Sequence, residues 1–118
     1  MSAAQRDIEI PRGDGYRHKL EFVRPVGDAT EAIDITGWVV SSSVRDWWDG
    51  LVSEDFAVDE VASDRVTGVL WITLTETQTA NSALPSRSVW DVQYTTPADT
   101  YPTTFLRGNV RLLGQATA

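Results

Sequence analysis

Ser88-Val89-Trp90-Asp91-Val92-Gln93-Tyr94, followed beyond residues 95–104 by Phe105-Leu106-Arg107-Gly108-Asn109-Val110-Arg111-Leu112, is the stretch whose reading decides the fold. In the first run Trp90, Val92 and Tyr94 fall on one face and Asp91 and Gln93 on the other, the period of two of a half-buried strand. In the second run Leu106, Val110 and Leu112 share a face opposite Arg107, Asn109 and Arg111. The linker holds Pro97, Asp99 and Pro102, which stop a strand and favour a turn, so the two runs are expected to pair antiparallel as a long-looped hairpin. The outward Asp91, Gln93, Arg107 and Arg111 then read as cross-strand support of the sheet rather than as a catalytic set.

The same language runs back to the N-terminus. Thr67-Gly68-Val69-Leu70-Trp71-Ile72-Thr73-Leu74 is dense in β-branched and aromatic residues and is expected in mid-sheet. Trp38, Val40 and Val44 share a face of residues 38–46, and Tyr16, His18, Leu20 and Phe22 share one of residues 16–23. Phe56 and Val58 mark a short strand between acidic loops. Ile8 and Ile10 alternate with Asp7 and Glu9 before Pro11, which suits a short edge strand. Residues 24–34, with Pro25, Gly27 and Asp28, read as a loop anchored by Ile33 and Ile35, and one helical turn fits between Thr75 and Leu84. The sum is an all-β chain: a single antiparallel β-sandwich of seven or eight short strands with at most one helical turn. Its five Trp supply large rings for the space between sheets. Residues 1–6 are expected to be a flexible N-terminus and 7–118 the domain, since 118 residues suit one core.

Composition narrows the function. The net charge is −7, and the basic residues are nine Arg and Lys19, scattered without a stripe, so nucleic acid is not expected as a partner. No apolar run approaches the length of a membrane span, and Met1-Ser2-Ala3-Ala4-Gln5-Arg6 lacks the apolar core of a signal peptide. Cysteine is absent, which excludes disulfides, zinc–thiolate sites and thiol nucleophiles and fits a reducing compartment.

Little in the chain has the spacing that catalysis needs. His18 is the single histidine and lies in a plain strand pattern without a G-x-S-x-G elbow, so a structural role is expected. Glu54, Asp55, Asp59 and Glu60 lack the regular spacing of a calcium loop, and Gly13-Asp14-Gly15 is not a phosphate loop. No catalytic, metal or cofactor site is expected. Trp47-Trp48 before Asp49-Gly50 stands out, because neighbouring side chains on an extended segment point to opposite faces and at most one ring can enter the core. An exposed ring there suits a protein contact or a sugar. The candidate partner interface is therefore Ile8 and Ile10, on an edge that another strand could extend, together with Trp47 and Trp48.

The order of these features resembles a small β-sandwich of phage and prophage virions, similar to the N-terminal domain of siphophage upper baseplate proteins. The residues that carry it are Ile8-Glu9-Ile10-Pro11-Arg12-Gly13-Asp14, Ile33-Asp34-Ile35-Thr36-Gly37-Trp38 and the run from Thr67 to Thr75. It continues through Thr77-Gln78-Thr79, Trp90-Asp91-Val92-Gln93-Tyr94 and Thr104-Phe105-Leu106-Arg107-Gly108-Asn109-Val110. The resemblance implies an immunoglobulin-like module without catalytic residues, located in the virion, that binds other virion proteins and copies of itself at a tail, baseplate or fibre junction. In those proteins further segments follow the domain, whereas this chain ends at Ala118, which suggests an adaptor or accessory protein. The alternatives are a capsid decoration or head-fibre module and, from another class, a carbohydrate-binding module that uses Trp47 or Trp48.

Overall fold

A computed structural model describes residues 4–47, 50, 52–81 and 84–114. The expected C-terminal hairpin is its centre: β10 (Arg87–Thr95) pairs antiparallel with β11 (Thr103–Leu113). Trp90, Val92, Leu106, Val110 and Leu112 are buried, as the period of two requires. On its other side β10 pairs antiparallel with β6 (Val39–Arg45), and β6 pairs with β7 (Val52–Asp55). A second sheet sets β9 (Val69–Leu74) between β3 (Tyr16–Glu21) and β8 (Ala57–Asp64), so the apolar run from Val69 to Leu74 is central as expected. Leu20, Leu70, Ile72 and Leu74 of this sheet join Ile10, Val44, Trp90 and Val110 of the larger one in a single buried cluster.

The larger sheet is mixed, which departs from a purely antiparallel expectation. β1 (Ala4–Gln5) and β2 (Ile8–Pro11) both add to β11 in parallel, at Leu106–Arg107 and at Val110–Leu113. Pairing therefore reaches back to Ala4, and the Arg6 N–H donates to the Arg107 carbonyl at 2.9 Å. Between the two short strands the chain steps inward over Gly108. A Cβ there would run into the Arg6 carbonyl, and the Trp90 indole N–H donates to that same carbonyl at 2.7 Å. Glycine at 108 is thus what lets the N-terminal segment close over Trp90.

Two further differences are local. Residues 24–34 are not a loop: β4 (Val23–Val26) and β5 (Ala29–Ala32) form an antiparallel hairpin that belongs to neither main sheet. Among the described residues the strands number eleven, because several pieces are only two to four residues long. The single helical turn is present as α1 (Glu76–Thr79), closed by a capping box in which the Thr75 hydroxyl accepts from the Gln78 N–H and Gln78 Oε1 accepts from the Thr75 N–H. A 3-10 turn at Arg65–Thr67 adds to it. Of the tryptophans described, only Trp90 is fully buried; Trp38 packs against the core in part, Trp47 is exposed, and Trp71 lies on the outer face beneath the Arg17 guanidinium. No helix of the described residues is long and apolar enough to cross a membrane.

Candidate functional site

The β4–β5 hairpin is the part of the chain that the core does not explain. Every residue from 23 to 32 is exposed, so the arm buries no side chain of its own. Its connection is Gly27-Asp28, with Gly27 at φ 61° and no positive φ at Asp28, which is the pattern of a type II′ turn. The base is held firmly. The Phe22 N–H donates to the Gly68 carbonyl at 2.8 Å and the Ile33 N–H to the Phe22 carbonyl at 2.9 Å. Gly68, at φ 76°, lies so close to the Phe22 and Ile33 carbonyls that no side chain fits there. Beneath it the Phe22 ring stacks on Phe105 at 4.2 Å between centroids, and Trp38 stacks on Tyr94 at 4.8 Å. Arg65 ties the 3-10 turn down by donating to the Trp38 carbonyl at 3.0 Å and to both carboxylate oxygens of Glu60.

The strand directions put the arm at one end of the sandwich. β3 ends there, β6 and β9 begin there, and the 96–102 loop between β10 and β11 lies there as well. That end carries exposed Val23, Val26, Val39, Val66 and Tyr101, the last 80% accessible. Exposed acidic groups accompany them: Asp28, Glu31, Asp34, Asp64 and Asp99, against the exposed Arg24.

At the opposite end, where β10 begins and β2 and β11 finish, an open groove lies on the outer face of the larger sheet, lined by Asp7, Glu9, Arg87, Asn109 and Arg111 among others. Arg87 and Arg111 are register partners directly across the hairpin, and Arg111 faces Glu9 on its other side. Like charges set opposite each other disfavour the pairing unless something answers them. Among the described residues neither arginine is in an ion pair. Asp7 is engaged otherwise: its carboxylate accepts from the Asn109 N–H at 2.9 Å and from Gln5 at 3.0 Å, which holds it below its ordinary value.

The residues singled out in the sequence are dispersed. Ile8 and Ile10 are 7% and 0% exposed and belong to the core, so their side chains are not an interface; β2 remains the outer strand along that stretch of β11. The alternation that marked them reports the inward face of the strand rather than an available one. Trp47 is 65% exposed at the arm-distal end, in line with one ring lying at the surface, and Trp48 lies outside the described residues. His18 is half-buried, edge-on to Trp90 at 5.2 Å and 3.2 Å from the Tyr16 hydroxyl; burial first, and then the charge of Arg6, lower its pKa. Glu54, Asp55, Asp59 and Glu60 do not converge. They accept separately from Gln78 and Asn81, from Ser43, from the Ala62 N–H and from Arg65. Asp91 pairs with Arg45 of β6 at 3.6 Å and has Arg107 as its register partner on β11; burial raises its pKa more than Arg45 lowers it.

The arm had a signal in the sequence, since Gly-Asp between two four-residue runs is a two-residue hairpin connection. The Arg87–Arg111 pair had none, because it depends on the register of strands 24 positions apart. No model of a known protein family matches the chain, and no curated protein matches it.

Proposed function

We propose that this chain is a non-enzymatic structural component of a tailed-phage virion, an immunoglobulin-like module acting as a tail, baseplate or fibre-junction adaptor through contacts with other virion proteins and with copies of itself. The strand order supports the immunoglobulin-like part: β11-β10-β6-β7 follows the G-F-C-C′ order of a variable-type domain, and β3-β9-β8 follows B-E-D. The virion role rests on the resemblance of the sequence and on one structural observation, the wholly exposed arm of residues 23–32 on its rigid base. A two-stranded ribbon is marginal in water by itself and adds nothing to the core here, so its use lies in contact with something else. Five exposed apolar residues at the same end fit a protein-binding end better than a catalytic one.

The test is mass spectrometry of particles released from cells that carry this gene, separated into heads and tails. The chain is expected in the tail fraction in several copies. Recovery with heads would move it to capsid decoration, and absence from both fractions would overturn the virion role.

A further inference from the structure

The outer side of β3 is a strand's place that no strand of the described residues fills. In the proposed immunoglobulin-like order a first strand covers it, but here β1 and β2 add to β11 instead. The Phe22 N–H donates to the Gly68 carbonyl directly opposite it, and bonding alternates along an antiparallel ladder, so Leu20, His18 and Tyr16 face β9 with their main-chain groups as well. The N–H and C=O of Arg17, Lys19 and Glu21 therefore point away from β9. On β9 the same alternation turns the Trp71 N–H to the β8 side, where it donates to Ser63 Oγ at 2.9 Å. The edge runs on into β4: the Phe22 carbonyl accepts from Ile33 on the side that faces Gly68, which leaves Val23 turned outward with Arg17, Lys19 and Glu21. Pro25, the next outward residue, has no N–H and ends the edge, and at the other limit Gly15 follows the turn at residues 12–14. Gly15 and Pro25 stand equally far from Leu20, so the edge is symmetric about that residue. We infer that two copies of the chain join along this edge in a two-fold dimer, antiparallel, with Leu20 at the axis, Arg17 opposite Val23 and Lys19 opposite Glu21.

The pattern of the edge selects its own copy and a single register. A strand that answers every outward group must run between the same two limits, and the edge itself does, each of the four facing pairs closing two main-chain hydrogen bonds. Lys19 and Glu21 already pair along the strand at 3.3 Å, and the dimer sets two lysines and two glutamates alternately around the axis, so each keeps its partner and gains another. Sliding one copy by two residues sets Lys19 against Lys19 or Glu21 against Glu21, and sliding it by one turns the core face outward. Arg17 stays over the Trp71 ring at 4.5 Å, with Asp59 at 3.9 Å, and meets the apolar Val23, which is 45% exposed. Arg6 borders the open groove beside Lys19 and Glu21 but belongs to the larger sheet, outside the ladder. The remaining edges are poorer templates, since the pairings of β7 and β8 each slip register and β1 is only two residues long. The same surface serves both copies, so the contact is isologous and closes at the dimer. The inference deepens the part of the proposed function in which the chain contacts copies of itself; a dimer in solution without the chain in particles, or the reverse, tells the two apart.

Amide hydrogen exchange of the purified wild-type protein, compared between dilute solution and about 1 mM, provides the test; a millimolar contact is about half formed at the upper limit. In dilute solution the Arg17, Lys19, Glu21 and Val23 amides should exchange fast while those of His18, Leu20 and Phe22 are protected, and at high concentration the first four should slow. Sedimentation velocity over the same range should show growth that stops at the dimer. The variants K19E and E21K should each weaken the dimer about tenfold, because like charges then face each other twice. Mixed in equal amounts they should restore it, since every facing pair between unlike variants is of opposite charge. The urea midpoint of each variant reports that it folds. A monomer throughout, growth past the dimer, association that leaves the four outward amides unprotected, or no recovery on mixing would overturn the inference.

Discussion

Gly108 shows how much one missing side chain decides. It faces Trp90 across the hairpin, and the space a Cβ would fill is taken by the Arg6 backbone, whose carbonyl receives the Trp90 indole proton. Gly108→Ala is therefore expected to lose about 1–3 kcal/mol in urea unfolding, as an added methyl in a packed site does. Hydrogen exchange should localise the damage to residues 4–11. His18 gives a second expectation. Its folded pKa lies below the ordinary 6.5, so in the window between the two values the unfolded chain binds a proton that the folded one does not. Stability should fall as pH drops through 6.5, and His18→Gln should flatten that part of the profile; urea midpoints at pH 7.5 and 5.5 decide it. Asp7 acts in a separate window, since its lowered pKa contributes stability that is present above 3.8 and lost only in stronger acid.

Among the elements, the β4–β5 arm and the C-terminal hairpin are opposites. β10 and β11 each bury an alternating face, and that face was legible because Trp90-Asp91-Val92-Gln93 alternates strictly. The arm buries neither face, so Val23-Arg24-Pro25-Val26 shows no sustained period and passes for a loop. Its ends are already hydrogen-bonded through Phe22 and Ile33, so residues 23–32 are replaceable by a two-residue Asn-Gly turn. That replacement should change the unfolding free energy by less than about 0.5 kcal/mol, as expected where nothing is buried. A large loss of stability would show instead that the arm belongs to the fold.

For the whole molecule, asymmetry matters most. The dimensions are 50 × 29 × 27 Å; Val23, Val26, Val39, Val66 and Tyr101 are exposed at the arm end, while Arg87 and Arg111 stand with Asp7 and Glu9 at the other. The larger sheet ends in β7 on one side and in β1 and β2 on the other, and the smaller sheet in β3 and β8; β8 slips register between Asp59 and Asp64, which spoils it as a template, and β1 is only two residues long.

By itself the sequence determined what depends on neighbours along the chain: the period-two strands, the central run from Val69 to Leu74, a helical turn after Thr75, and the absence of any thiol chemistry. Side-chain alternation and capping are local, so they can be read residue by residue. Only the tertiary structure decided that Ile8 and Ile10 are core, that the N-terminal strands run parallel to β11, and that Arg87 faces Arg111. Each of these rests on register between segments far apart in sequence, and a shift of one residue would turn every side chain to the other face.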